Sequence, residues 1–164
     1  MTWPVYLVLA LVTLQRLGEL LLAERNTRRL LARGAHEVGR GHYLFMVAVH
    51  AGWLIALWLL GPGRPIDIVP LVIYVALQFA RIWVIATLGE RWTTRIIILP
   101  GEPLVRHGPY RWFDHPDSLI VIAEIAVLPL VFGLPVVAAF FSVLNAVVLW
   151  IRVREENEAL AAHR

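Results

Sequence analysis

Hydrophobic positions in this chain come in long uninterrupted runs rather than at helical or strand periodicity. They cover Trp3–Leu14 continuing to Leu22, then Tyr43–Leu60, Ile68–Leu88, Ser118–Leu134 and Pro135–Trp150. A bilayer core needs about 20 apolar residues in helical form, so runs of this kind read as membrane spans. The pattern predicts an all-α integral membrane protein with about five transmembrane helices, at 3–22, 43–60, 68–88, 118–134 and 135–150. A polar loop at 89–117 and a C-terminal helix at 151–164 complete a single membrane-embedded domain over 1–164. The last two spans meet at Gly133-Leu134-Pro135, a connection short enough to make them an antiparallel hairpin, with Pro129 placed to kink its first arm.

Composition supports the same class. The 164 residues are 59% hydrophobic and only 16% charged, with mean hydropathy +0.70. The opening Thr2-Trp3-Pro4 is not a basic leader, and Gln15, Arg16 and Glu19 follow where a small-residue cleavage site would stand, so the first run is expected to be a retained helix. Cysteine is absent, which removes disulfides, thiolate catalysis and cysteine-ligated metal. No HxxxH or HExxH pairing points to a metal site.

Charge fixes the expected orientation. Every basic residue among the 15 Lys+Arg positions is arginine, and all but Arg16, Arg64 and Arg81 fall between spans one and two, between three and four, or after five. With five spans these segments share one side, which the positive-inside rule makes cytoplasmic, leaving the N-terminus outside and the C-terminus inside. Topology explains the arginines better than nucleic-acid binding does.

Candidate chemistry lies on that side. Gly89–Asp117 is too polar and too broken by proline and glycine to span. Its many apolar residues, Trp92, Ile96–Ile98, Tyr110 and Trp112 among them, argue for a folded cap of extended segments rather than a solvated linker. In His115-Pro116-Asp117-Ser118, Asp117 or Ser118 can cap the fourth span, and a capped helix start suits a ligand. His115 taken alone is equally a hydrogen-bonded interfacial histidine. Arg152/Glu156 and Arg154/Glu158 have i,i+4 spacing, which by itself describes a solvated charged helix. Polar residues also stand within spans: Arg16 and Glu19, which can pair at i,i+3, His50, Gln78, Arg81, Glu124 and Asn145. Such groups face a bundle interior or a wet cavity, and Glu124, with no local partner, is expected to need a polar neighbour, for which Asn145 of the facing arm is a candidate.

Taken in order, Arg91-Trp92-Thr93-Thr94-Arg95, Pro100-Gly101-Glu102-Pro103-Leu104-Val105, Gly108-Pro109-Tyr110-Arg111, His115-Pro116 and Arg152 with Glu155-Glu156 resemble the isoprenylcysteine carboxyl methyltransferase family. The resemblance is closest to its short bacterial branch, which includes alkylpyrone O-methyltransferases found with type III polyketide synthases. It extends to Arg16-Leu17-Gly18-Glu19-Leu20, Arg25-Asn26 and Arg33-Gly34-Ala35. The resemblance implies S-adenosylmethionine as cofactor, held in a cytosolic pocket by Arg95, Leu104, Val105, Tyr110, His115, Pro116 and Glu156. It also implies Arg152 as the catalytic, substrate-facing arginine. The implied acceptor is a lipophilic small molecule or prenylated compound, O-methylated on a carboxylate or acidic enol at a bacterial inner membrane. The chain departs from the family's usual Arg-His-Pro-x-Tyr-x-Gly pattern at Asp114, Ser118 and Ile120. Phospholipid methyltransferases and a sterol reductase family share parts of the motif set, so an NADPH-dependent lipid reductase and a non-catalytic membrane partner are the alternatives.

Overall fold

The structure, a computed structural model, describes residues 3–103 and 105–162. Five helices form it: α1 (Trp3–Ala32), α2 (Arg40–Leu60), α3 (Ile68–Leu88), α4 (Pro116–Val131) and α5 (Pro135–Ala162). Four of them, α1, α2, α3 and α5, are long and apolar enough to cross a membrane. Helix α4 has 16 residues, about 24 Å of rise. It packs between α3 and α5, with Glu124, Ile125, Leu128 and Val131 wholly buried, so neighbouring helices rather than lipid surround much of it. The outer helices instead expose Leu44, Leu59, Val69, Phe79 and Val136, the inversion of a water-soluble surface that a lipid solvent permits.

Two helices run further than their apolar stretches. α1 continues past Leu22 through Arg25, Arg28 and Arg29 to Ala32, and α5 carries on without a break through the charged Arg152–Glu158. The separate C-terminal helix expected after the fifth span is therefore the continuation of α5. Charged residues with good helix propensity lengthen a helix once it leaves the hydrocarbon.

The arginine-rich end is closed by a small ribbon. Strand β1 (His36–Val38) pairs antiparallel with β2 (Ile96–Ile98), His36 opposite Ile98 and Val38 opposite Ile96. Gly39 leaves the strand at φ 72° and starts α2; a side chain there would strike Glu155 and His42, so the left-handed backbone and the tight packing both call for glycine. Asn26, buried on α1, donates to the carbonyls of Gly89 at 3.2 Å and Trp92 at 2.8 Å, fixing the turn that follows α3.

At the start of α4 the cap is His115, with Pro116 in the first turn and no side-chain capping bond. Proline lacks an N–H and has its φ preset for the first helical position, so it moves the boundary one residue ahead of the expected Asp117 or Ser118 cap. Pro129 sits in the last turn rather than kinking a longer arm; its carbonyl accepts from Phe132 and Leu134 as the chain turns into α5.

The core has two apolar clusters with a polar layer between them. One joins Val5, Leu9, Val12, Trp53, Leu57, Tyr74, Ile125, Leu128 and Phe132; the other joins Ala23, Val84, Trp92 and Ile120 at the arginine-rich end. In the layer between, Arg81 holds Glu19 through both carboxylate oxygens and reaches Glu124 at 2.9 Å, while Gln78 donates to Glu124 at 2.7 Å. Arg16 stands 3.6 Å from Glu124, and His50 meets Asn145 at 3.3 Å. Two expectations are corrected here. Glu19 pairs across to α3 instead of with Arg16 on its own helix, and Glu124 is met by α1 and α3 instead of by Asn145. Helical spacing reports only local neighbours, whereas a buried guanidinium with five donors gathers carboxylates from several helices.

Candidate active site at the arginine-rich end

The ribbon, the loop after it, and the extension of α5 enclose a cavity of about 400 Å³. One wall is apolar, from Ile96, Ile97, Ile98, Leu99 and Val105; the other is polar, from Asp117, His115, Glu156 and Asn157, with Arg91, Arg95 and Arg106 at its margins. Of the residues implied by the family resemblance, Arg95, Val105, Tyr110, His115 and Glu156 line this space together with Arg152. Pro116 does not; it is buried in the first turn of α4, directly after the His115 cap. Leu104 lies outside the described residues.

Local chemistry positions each group. Arg95 is held at 2.9 Å by Glu37 of β1 and lies 4.1 Å from the ring centroid of Tyr43, whose hydroxyl is 3.1 Å from that of Thr94. His115 Nε2 donates to the amide oxygen of Asn157 at 3.1 Å, since that oxygen can only accept; Nδ1 is 4.0 Å from Glu156. Gly108, at φ 60°, brings the Gly108–Arg111 turn against Thr87 of α3 so closely that a side chain would collide, and this places Tyr110 at the cavity wall.

Burial and the carboxylate of Asp117, with Glu156 behind it, push the Tyr110 phenol well above its ordinary range, so it stays neutral. Glu156, on the polar extension of α5, is likewise raised, first by burial and then by Asp117; Arg152 and His115 pull the other way. Two facing carboxylates in a half-enclosed space create demand for a donor or cation between them.

A second cavity, of about 320 Å³, lies among the helices and is lined by apolar side chains of α1 and α2 such as Leu17, Leu20, Val47 and Leu54. Thr93, Asp117 and Arg152 line both cavities. At this junction Arg152, 8% exposed, donates to the Thr94 carbonyl at 2.6 Å and touches Met46 Sδ at 3.7 Å. Among the described contacts its hydrogen bonds go to these groups rather than to Glu156 one turn along, so its guanidinium is aimed at the junction. Asp117 was legible in the sequence only as a cap; its place beside His115-Pro116 was the available signal. Thr93 and Thr94 were visible only as members of the Arg91–Arg95 motif, and Glu37 and Asn157 gave no signal.

The departures from the family pattern have separate fates. Asp114 sits at the cavity's margin, mostly exposed and 3.4 Å from Arg106; Ser118 faces the inter-helix cavity; Ile120 fills the apolar cluster beside Ala23, Val84 and Trp92.

Fold and site together define a polytopic membrane protein with a polar chamber at one end, joined to an apolar one between its helices. Residues 69–162 match the model of the isoprenylcysteine carboxyl methyltransferase family, which spans α3, the cap, α4 and α5. This chain belongs to that family, a family of membrane methyltransferases. It is 35% identical to the uncharacterized protein YpbQ of Bacillus subtilis over 94% of this chain and 95% of the relative. A protein of Haemophilus influenzae, also described as uncharacterized, is 23% identical over 89% of this chain and 88% of its own length. No solved structure matches.

Proposed function

We propose that the chain is an S-adenosylmethionine-dependent methyltransferase that acts on a lipophilic acceptor, O-methylating a carboxylate or acidic enol. The observation carrying this reading is the pair of cavities that share Thr93, Asp117 and Arg152: one polar and reached from the arginine-rich end, the other apolar and set between helices. A charged, water-soluble cofactor and a lipid-soluble acceptor need such unlike compartments meeting at one point.

The donor set suits the cofactor. Ile97, Leu99 and Val105 offer apolar surface for a nucleobase, Asp117 and Glu156 can accept from hydroxyl or ammonium groups, and the arginines complement a carboxylate. When bound, S-adenosylmethionine supplies an electrophilic sulfonium methyl group and is left as the neutral thioether. An ionised acceptor oxygen attacks without a protein nucleophile, so the chain's task is to position it and exclude water. In this reading Arg152 orients that oxygen; its planar guanidinium, bonded to the Thr94 carbonyl, loses little freedom in doing so. By the positive-inside rule this end faces the cytoplasm of a bacterial inner membrane, with the N-terminus outside.

Isothermal titration of the detergent-purified protein with S-adenosylhomocysteine, and separately with NADPH, tests the reading. Saturable binding of S-adenosylhomocysteine alone is expected; binding of NADPH alone would replace methyl transfer by lipid reduction.

A further inference from the structure

The cap carries an aromatic outer face. Trp112 and Phe113 follow the Gly108–Arg111 turn and are 64% and 51% exposed. Trp112 does not stand alone: its ring centroid is 6.2 Å from that of Trp83 on α3, which is also exposed. Phe79 and Ile82, three to four residues from one another and from Trp83 along α3, carry the same exposed surface down the helix. The aromatic patch on the cap is therefore continuous with the lipid-facing side of a span.

Helix rise sets its depth. α3 has 21 residues, about 31 Å of rise, close to the thickness of a bilayer core, and it lies between the polar Asp67 and Glu90-Arg91. Trp83 stands about 7 Å short of the Leu88 end. Trp150 on α5 gives an independent mark. It is 65% exposed and as many residues from the start of α5 as Trp83 is from the start of α3, about 22 Å in each. The two starts are neighbours, because the Asp67 amide donates to the Val131 carbonyl at 2.8 Å and Arg64 donates to that of Phe132 at 3.1 Å. Tryptophans at one level on two spans mark the zone where headgroups meet acyl chains, and Trp112 reaches that level from the cap.

Arg111 adds charge to the patch. Its Cζ lies 4.5 Å from the Trp112 ring centroid, and among the described contacts it has no carboxylate partner. Nearby Arg106 is instead paired with Asp114 at 3.4 Å. A cation stacked on an aromatic ring at headgroup depth, with no acid of its own, complements a phosphate oxygen.

We propose that Trp112 and Phe113 dock the cap onto the membrane interface and that Arg111 there binds the headgroup of an anionic phospholipid. Tyr110, on the same turn, lines the polar cavity, so this short segment presents one side to the cavity and the other to lipid. The docking does not depend on which reaction the cavity supports.

The test uses the full chain in lipid nanodiscs. Because the chain has no cysteine, Trp112→Cys carries a single nitroxide, with a label at Glu158→Cys, exposed on the extension of α5, as the aqueous reference. The label at 112 should collide with oxygen more often than with a water-soluble nickel chelate, reporting a depth of roughly 5–10 Å below the phosphates, and the label at 158 should do the reverse. More frequent collision with the chelate at 112 overturns the docking. Shielding from both reagents also overturns it and gives the surface to a second copy of the chain. Phe113→Cys repeats the measurement if Trp112→Cys does not fold. Native mass spectrometry of the unlabelled protein then reads the charge. The first phosphatidylglycerol should bind about fivefold more tightly than phosphatidylcholine of the same acyl chains. Arg111→Gln should remove that difference, whereas Arg28→Gln, exposed and paired with Glu24, should keep it. No preference, a preference that survives Arg111→Gln, or equal loss in both variants overturns the headgroup assignment.

Discussion

Trp53 donates its indole N–H to the carbonyl of Ile125 at 3.2 Å, the carbonyl that Pro129, four residues on, cannot serve because it has no N–H. A helix defect on α4 is thus repaired from α2. Trp53→Phe should leave that buried carbonyl unmet and cost about 1–3 kcal/mol, read as a lower Tm in detergent. Adding Pro129→Ala restores the helical N–H, so the double variant should lose less than the two single losses combined; strict additivity would show that the indole bond contributes nothing.

Arg81 faces Glu19 and Glu124 at once, so Arg81→Met strands two buried carboxylates. A loss of about 3–5 kcal/mol, enough to prevent accumulation of folded protein, is expected. Glu19→Gln in the same chain should recover part of it, measured as the folded fraction on size exclusion.

Glu156 lines the polar cavity, whereas Glu158 is exposed and paired with Arg154 at 3.3 Å. Glu156→Gln should weaken S-adenosylhomocysteine binding roughly tenfold and Glu158→Gln hardly at all, by titration calorimetry. Equal losses would reduce this stretch to a solvated charged helix.

Because burial, and then Asp117, raise the Glu156 carboxyl above the usual carboxylate range, it keeps its proton to higher pH folded than unfolded. Its contribution to stability is therefore present below the unfolded value and lost as pH rises through the folded one. Cofactor affinity should run the opposite way, rising as the carboxylate forms. Glu156→Gln should flatten both trends in Tm and affinity measured against pH.

Arg152→Lys should lower methyl transfer on the order of ten- to a hundredfold while changing S-adenosylhomocysteine affinity little, since an ammonium cannot hold an oxygen acid bidentately. Parallel losses in rate and binding, measured on one preparation, would mean that Arg152 only braces the Thr94 loop.

The long apolar runs made the membrane class and the helical content legible, because lipid imposes a length and a composition on each span. The polar positions within spans were equally visible, yet their partners were not. Glu19 finds Arg81 across 62 residues of chain, and no local periodicity reports that. The β1–β2 ribbon was hidden for the same reason: His36–Val38 is three residues long and gains its partner only from Ile96–Ile98. The end of α1 was blurred because Arg25–Arg29 continues in helical form as charged sequence that also reads as loop, whereas Arg152–Glu158 was read as helical but as a helix separate from the fifth span. Asp117 was misplaced as a cap because Pro116 took the first helical position.

Since α5 is unbroken from Pro135 to Ala162, Asn145, Arg152, Glu156 and Asn157 are all marks on a single rod. At about 1.5 Å and 100° per residue, their spacing behaves as a caliper set once by the sequence. Inserting or deleting one residue between Asn145 and Arg152 would turn Arg152, Glu156 and Asn157 together by about 100° relative to Asn145 and the level of His50.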